Sequence, residues 1–192
     1  MDSIEAIDRD IGERVREFRA ARGLTLEALA AQSGVSRAML SRVERGESSP
    51  TAQLLNRICS GLGVTLSALF AAAEKPVSPL RRRADQKVWR DPASGYVRHA
   101  VSPHGTGSQA EIIDVEFPTG GKVAFDAQTL PGTDQQIFVL AGAMEIGVGA
   151  VRHSLRAGDC LYMRFGAPIV FRNRGPKPAR YLVVISRSTG IQ

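Results

Sequence analysis

The sequence contains little of what membrane, secreted and fibrous proteins require. No run approaches the roughly 18 to 20 apolar residues of a membrane span, and the acidic start, MDSIEAIDRD, is unlike a signal peptide. Only two cysteines occur, Cys59 and Cys160, and we expect both to be small core residues rather than a disulfide. The 192 residues show no collagen, coiled-coil or low-complexity pattern. We therefore expect a cytoplasmic globular protein without a membrane partner, with one large or two small domains.

The positive charge is unevenly distributed along the chain. The net charge is +6, with 25 Lys and Arg against 19 Asp and Glu, which invites a nucleic-acid hypothesis. Residues 1–75 nevertheless carry ten residues of each sign, whereas residues 76–92 carry five basic against two acidic and residues 93–192 carry ten against seven. Any DNA affinity of the first segment must therefore come from how its charges are arranged on a surface.

The hydrophobic periodicity changes from helical to alternating along the chain. Start and stop signals predict five short helices in the first part, beginning near Asp8, Thr25, Ser36, Ser49 and Thr65. A proline-containing, arginine-rich stretch follows, and after it come short alternating segments separated by Gly, Pro, Asn or Asp, which are typical of a sandwich or barrel. We predict a two-domain α + β protein with a helical domain at 1–73, a linker at 74–92 and an all-β domain at 93–192.

One segment has the spacing of two helices joined by a tight turn. In LEALAAQSGVSRAMLSRVER, residues 26–45, Ala30 is small enough for a helix crossing and Gly34 tolerates the dihedral angles of the turn. Leu40 and Val43 supply apolar anchors in the second helix. On these residues, and on the run GVSRAMLSRVERGESSPT, residues 11–70 closely resemble the repressor-type helix-turn-helix domain of the XRE family.

This resemblance implies sequence-specific binding to double-stranded DNA through a recognition helix from Ser36 to Arg45. If Met39, Leu40 and Val43 face the core, the outward side chains are the expected base contacts, namely Arg37, Ala38, Ser41 and Arg42. The expected phosphate contacts are hydroxyls near helix starts and in the following loop, namely Ser36, Ser48, Ser49 and Thr51. The alternative is that the arginines are ordinary solvated residues and that Ser36 is only a helix cap.

A different role is implied for two charged residues. Arg19 and Glu44 match a pair that, in similar domains, forms an ion pair between the first and third helices. We expect this pair to be structural and to make no DNA contact.

The all-β part resembles a cupin, a small double-stranded β-helix barrel. The resemblance rests on VLAG at 139–142, LRAGDCLYM at 155–163 and PIVFRN at 168–173. Metal-binding cupins place three histidines and one glutamate in these motifs. The matching positions of this chain are Gln128, Leu130, Gln135 and Ile169.

These four side chains cannot supply the imidazole and carboxylate donors of a transition metal, so we expect no metal and no cofactor. Shifting the first motif by one residue brings Asp126 and Asp134 closer, but no histidine. No nucleophile–base pair replaces the metal, and we expect no catalytic residues.

The resemblance implies a binding domain whose interior takes a small organic effector. The side chains expected to line it are Gln128, Leu130, Gln135, Ile137, Ile169 and Phe171, together with Tyr162 and Arg164. The alternative is a barrel filled by its own side chains that serves only for dimerisation.

Together the two resemblances predict a ligand-responsive transcriptional regulator that binds a pseudo-palindromic operator as a homodimer. Arg81, Arg82 and Arg83 of the linker are expected to relay the response or to touch the DNA backbone, although a solvated charge run is the commoner explanation. Two alternatives remain open. One is a metal-independent cupin enzyme, a lyase or isomerase, fused to a helix-turn-helix, and the other is an antitoxin-like DNA-binding partner of another protein.

Overall fold

The computed structural model describes residues 3–70 and 78–187. The chain divides into two compact units, Met1–Ala72 and Ala73–Gln192, of which the first is helical and the second is built from strands. The first residues of the predicted linker lie outside the described residues. Among the described helices, none is long and apolar enough to cross a membrane.

The helical unit contains the five helices that the sequence predicts. They are α1 Ser3–Ala21, α2 Leu26–Ser33, α3 Arg37–Glu44, α4 Ala52–Leu62 and α5 Leu66–Phe70. Side-chain hydroxyls cap three of these helices, because Thr25, Ser36 and Thr51 each accept a hydrogen bond from the backbone N–H three residues on. The start of α4 corrects the sequence prediction, since the cap is Thr51 and not Ser49.

The core of the helical unit fixes α3 against α1 at very short range. Leu40 and Val43 of α3 are buried, as are Val15 of α1 and Leu55 of α4. Gly12 of α1 faces the carbonyl oxygens at the end of α3 so closely that a Cβ atom there would collide with backbone. The two helix backbones therefore touch without an intervening side chain.

Within residues 78–187, the second unit forms ten antiparallel strands in two sheets. The strands are β1 Val88–Arg90, β2 Val97–Ala100, β3 Ala110–Phe117, β4 Lys122–Phe125, β5 Thr133–Ala141, β6 Ala143–Val148, β7 Val151–Arg156, β8 Cys160–Arg164, β9 Ile169–Arg172 and β10 Ala179–Arg187. One sheet has the order β1-β2-β3-β10-β5-β8 and the other β4-β9-β6-β7. The alternating segments of the sequence, at 111–117, 136–140, 143–148, 160–164, 169–172 and 181–185, correspond to β3, β5, β6, β8, β9 and β10.

An aromatic cluster joins the two sheets. The ring of Phe171, on β9, stacks on that of Tyr181, on β10, at 5.9 Å between centroids. Phe117 lies 6.2 Å from Tyr181 and 5.7 Å from Tyr96. The contact between β9 and β10 shows that the sheets pack face to face, with their apolar side chains between them.

The structure corrects the predicted linker at 74–92. A short 3-10 turn at Arg83–Asp85 and strand β1 fall inside it. Trp89 of β1 is 3% exposed and meets the ring of Tyr96 edge-on at 5.7 Å. Burial of this large aromatic side chain ties the last part of the stretch to the β unit.

Candidate DNA-binding surface and β-unit interior

Helix α3, which spans most of the expected recognition helix, presents a polar face opposite its buried face. Leu40 and Val43 point into the core, and the opposite side exposes Arg37, Ala38 and Arg42. Ser41 is half-buried, and its hydroxyl oxygen accepts a hydrogen bond from Arg45. Arg37, Ala38 and Arg42 are therefore exposed. Ser41 has only its hydroxyl proton left to donate to a ligand.

Arg37 is held by a carboxylate that the sequence analysis did not identify. Its Nε lies 2.5 Å from Oε1 of Glu27, which belongs to the first turn of α2. The helix-start backbone N–H of Glu27, followed by the charge of Arg37, lowers the pKa of Glu27. The acid is therefore charged at neutral pH and orients the guanidinium. The sequence signal for this contact was an acidic residue, Glu27, in the first turn of α2, the helix before α3.

The four hydroxyls expected to contact phosphates have different surroundings. Ser36 and Thr51 are helix caps whose oxygen atoms accept backbone hydrogen bonds, so each retains a hydroxyl proton to donate. Ser49 instead donates its proton to the carboxylate of Asp8. Ser48 Oγ is buried and has no hydrogen-bond partner among the described residues. Ser36 and Thr51 are thus the better suited to an anion.

The expected ion pair between the first and third helices is present in the structure. Arg19 donates from Nε to Glu44 Oε1 at 2.6 Å and from Nη2 to Oε2 at 2.8 Å. Its remaining nitrogen, Nη1, donates to the carbonyl of Leu24 at 2.9 Å. Both side chains are largely buried, at 17% and 8% exposure. This two-pronged contact fixes α3 relative to α1 and to the turn before α2.

Four of the side chains expected to line the β-unit interior, Gln135, Ile137, Ile169 and Phe171, are buried on the inner faces of β5 and β9. In the loop between β4 and β5, Gln128 is buried and Leu130 is half-buried. Two buried amides among apolar neighbours are unusual enough to mark a polar part of this interior.

Tyr162 and Arg164 do not belong to the interior, and this prediction is wrong. Both are exposed on the outer surface, whereas Met163 between them is buried and pairs in register with Gln135. The cause is the two-residue period of a strand, which places alternate side chains on opposite faces. Arg164 Nε donates to the Tyr162 hydroxyl at 3.0 Å.

Glu111 is an inward residue that the sequence analysis missed. It lies opposite Ile185 in the pairing of β3 with β10, and Ile185 pairs on its other side with Gln135. Its Oε2 atom is buried, and Arg187 Nη2 lies 3.8 Å away. A carboxylate and the amide of Gln135 therefore lie in one row on the inner face of the six-stranded sheet.

The β unit does not fit the metal that cupin enzymes carry. Within residues 3–70 and 78–187, no three His, Cys, Asp or Glu side chains gather into a group that holds a metal ion. Gln128, Leu130, Gln135 and Ile169, at the ligand positions, offer only neutral amide oxygens and hydrocarbon. These donors do not suit a transition metal.

The three linker arginines differ in their exposure and contacts. Arg83 Nη1 lies 3.8 Å from Asp114 Oδ2 of β3, and Arg82 is exposed. Arg81 is half-buried. The arginine run therefore contacts the β unit at its third residue.

An exposed recognition helix on a five-helix unit, followed by a two-sheet β unit, defines the class of helix-turn-helix proteins with a cupin domain. A family model for the helix-turn-helix, HTH_3, matches residues 15–69, and one for the cupin domain, Cupin_2, matches residues 113–185. The chain therefore contains an XRE-type HTH_3 domain and a Cupin_2 domain and is a DNA-binding transcriptional regulator.

Individual relatives agree with this assignment over different lengths. The chain is 25% identical over 180 residues to the HTH-type transcriptional regulator SutR of Escherichia coli, covering 93% of this chain and 95% of SutR. It is 40% identical over 63 residues to SlrR of Bacillus subtilis, covering 32% of this chain and 41% of SlrR. The crystal structure of an HTH_3 family transcriptional regulator from Vibrio cholerae superimposes with a TM-score of 0.78 at 26% identity, covering 96% of this chain and 98% of that one.

Proposed function

We propose that this regulator binds a pseudo-palindromic operator as a homodimer and that a small organic effector in its cupin domain adjusts this binding. A regulator of this kind works in the cytoplasm, where its operator lies. The single observation that carries the proposal is the polar face of α3, with Arg37, Ala38 and Arg42 exposed above a core fixed by Arg19 and Glu44.

The side chains of this face suit the major groove. Arg37 and Arg42 have the planar donor geometry for bidentate contact with guanine, and Ala38 suits the methyl group of thymine. Ser41 completes the set of base contacts. Ser36 and Thr51 donate to phosphates on either side, and Ser48 and Ser49 lie in the loop between them. Two such faces about 34 Å apart read two half-sites, which is why the operator is palindromic and the protein dimeric.

The effector site is the interior of the β unit, lined by Gln128, Gln135 and the apolar side chains around them. Buried amides support an organic ligand because each can donate and accept hydrogen bonds. The effector must bind the DNA-competent and incompetent arrangements with different affinity, since otherwise it shifts neither population. The domain acts by binding and not by catalysis, which suits a chain that is similar over 93% of its length to a transcriptional regulator.

The DNA-binding proposal is tested by selecting genomic fragments on the purified protein near physiological salt, where non-specific binding is weak. We expect a two-fold-symmetric site. Arg37→Ala should then weaken binding by roughly 1 to 3 kcal/mol and relax the preference at one base position in each half-site. Arg16→Ala, an exposed arginine of α1, is the matched control and should change neither. Unchanged affinity and preference in Arg37→Ala would show that α3 is not oriented as proposed.

Two neighbouring glutamines of β5 provide a test of the effector proposal and its control. Gln135 faces the interior and Gln136 the exterior. A metabolite set screened by thermal unfolding should give a ligand that raises the β-unit midpoint, as ligand linkage requires. Gln135→Ala should remove the shift and Gln136→Ala should retain it. Equal responses of the two variants would place the effector elsewhere.

Metal content separates this proposal from cupin enzymes. Protein purified without chelator should hold well under one equivalent of metal after dialysis. A full equivalent would contradict both the effector site and the assignment of the first cupin motif.

A further inference from the structure

The outer surface of the six-stranded sheet is unusually apolar. Four large side chains exposed on it lie on β3, β5 and β8, with Ile112 at 37%, Phe138 and Leu140 at 38% each and Tyr162 at 50%. A fifth, Val88 at 46%, lies on the edge strand β1 and is separated from them by His99 and Asp114. Leu182 and Val184 lie half-buried among the first four. We call these six side chains, without Val88, the apolar face.

The strand register makes these side chains contiguous. Val184 of β10 pairs with Ile112 on one side and Gln136 on the other, and Gln136 pairs with Tyr162. In the next row along the strands, Leu182 pairs with Phe138, and Phe138 pairs with Cys160. On its other side Leu182 pairs with Asp114, whose carboxylate is buried and accepts hydrogen bonds from Arg180, so the patch ends there. Residues opposite each other in a sheet have Cβ atoms about 5 Å apart. The apolar face is therefore one patch and not a scatter of single residues.

The outer surface of the other sheet provides an internal comparison. Its outward positions are mostly charged or polar: Lys122, Arg152, Ser154, Arg156, Arg172 and Glu145. A sheet with one buried side normally shows this polar outer surface. The six-stranded sheet departs from the pattern in the same unit, so its outer surface has a different neighbour.

Charges of both signs border the apolar face at each end of the strands. Asp134 and Arg164 pair in register at one end, and Glu116 and Arg180 pair at the other. Tyr162 is fixed there, since its hydroxyl accepts from Arg164 at 3.0 Å and donates to Asp134 at 3.4 Å. A held tyrosine beside an arginine is typical of the side chains that dominate protein interfaces.

We propose that the apolar face binds the same face of a second copy of the chain and forms the two-fold interface of the regulator. An edge of a single charge would favour an acidic or a basic partner, whereas an acid and a base at each end suit a copy of the same surface. The inference rests on the proposed function, because a palindromic operator requires a two-fold dimer. It adds the surface that supplies the dimer.

The first test is the oligomeric state of full-length protein without DNA, measured by sedimentation over about 0.1 to 50 µM, the range in which specific complexes dissociate. We expect a dimer for the wild type. Phe138→Lys should raise the dimer dissociation constant at least about 100-fold, since it places a charge in both halves of an apolar interface. Val151→Lys, at 57% exposure on the other sheet, is the matched control and should remain dimeric.

A second variant and a chemical readout guard against loss of folding. Tyr162→Glu on the edge strand β8 should act in the same direction, with unchanged circular dichroism. Cys160 is exposed and the other cysteine, Cys59, is buried, so maleimide labelling reports on one thiol. Its labelling rate should fall as protein concentration rises in the wild type and stay constant in Phe138→Lys.

The outcomes distinguish the interface from the operator. A monomeric wild type, or a dimer that survives both substitutions, overturns the apolar face as the interface and leaves DNA binding standing. A dimer that dissociates in Phe138→Lys, from a protein that selects no palindrome, retains the interface and overturns the proposed operator. The full proposal expects Phe138→Lys to lose affinity for the palindrome while matching the wild type on a single half-site.

Discussion

The two units of this regulator differ in the side chains that they expose. Both have apolar cores that contain a few buried polar side chains, such as Asn56 and Thr65 in the helical unit and Gln128 and Gln135 in the β unit. The helical unit exposes the arginines of α3, whereas the β unit exposes Phe138 and Tyr162. A charged outer face suits a charged partner such as DNA, and an exposed apolar patch is typical of a surface that binds protein.

The largest expected effect is a loss of stability of the helical unit, in which the Arg19–Glu44 ion pair joins α1 to α3. Glu44→Ala leaves the mostly buried guanidinium of Arg19 without its partner and should cost about 2 to 3 kcal/mol of stability. Helical circular dichroism should report the loss, while fluorescence of the single tryptophan, Trp89 of the β unit, should melt as before. Glu17→Ala removes an exposed pair with Arg14 and serves as control, with a change below about 0.5 kcal/mol. A joint loss in both signals would mean that the units unfold together.

The second-largest expected effect is a loss of stability that is confined to the β unit. Asn173 is 1% exposed, donates to the carbonyls of Phe117 and Lys177 and accepts from the N–H of Gly175. Asn173→Ala leaves buried backbone groups unpaired and should cost about 2 kcal/mol, seen in the tryptophan signal and not in the helical signal. The exposed neighbour variant Arg174→Ala should change little. An unaltered tryptophan transition in Asn173→Ala would contradict the structural role given to this amide.

A smaller effect concerns recognition alone. Glu27→Gln keeps the size of the side chain and removes the charge that holds Arg37, so operator affinity should fall about two- to fivefold. Stability and oligomeric state should not change. In the double variant with Arg37→Ala the Glu27 effect should vanish, and an additive loss would show that Glu27 acts independently of Arg37.

The smallest effect is a difference in the sign of pH dependence. Hydrogen bonds from Arg180 lower the pKa of Asp114, so its contribution to the β unit is present above the ordinary value of 3.8 and is lost as pH falls through the lowered value. Burial raises the pKa of Asp8, so its contribution to the helical unit is full below 3.8 and is lost as pH rises through the raised value. When each unit is melted between about pH 2 and 7, we expect Asp114→Asn to remove a loss of β-unit stability at low pH and Asp8→Asn to remove a loss of helical-unit stability as pH rises, each relative to the wild type. A variant whose pH dependence matched that of the wild type would contradict the environment assigned to its carboxyl.

How much the sequence predicts follows from how local each feature is. The five helices and the turn at Gly34 are local, and the sequence placed them, with only the starts of α1 and α4 displaced. Strands with clear alternation were also identified. The orientation of Tyr162 was wrong because one residue of register on an edge strand reverses every side chain. The pairing of Glu27 with Arg37 depends on how two helices cross, and the apolar face depends on which side of each strand meets the other sheet.

The close approach at Gly12 has a consequence for how base preference can change. The last turn of α3 rests directly on the backbone of α1, with carbonyl oxygens of Val43 and Glu44 where a side chain would otherwise lie. No side chain separates the two backbones, so in the proposed mode of DNA binding the depth to which α3 enters the major groove is set by main-chain geometry. On that proposal, substitutions elsewhere in the core should leave this depth unchanged, whereas a methyl group at position 12 should push the two backbones apart. A residue outside the proposed set of DNA contacts would then influence which operator is bound.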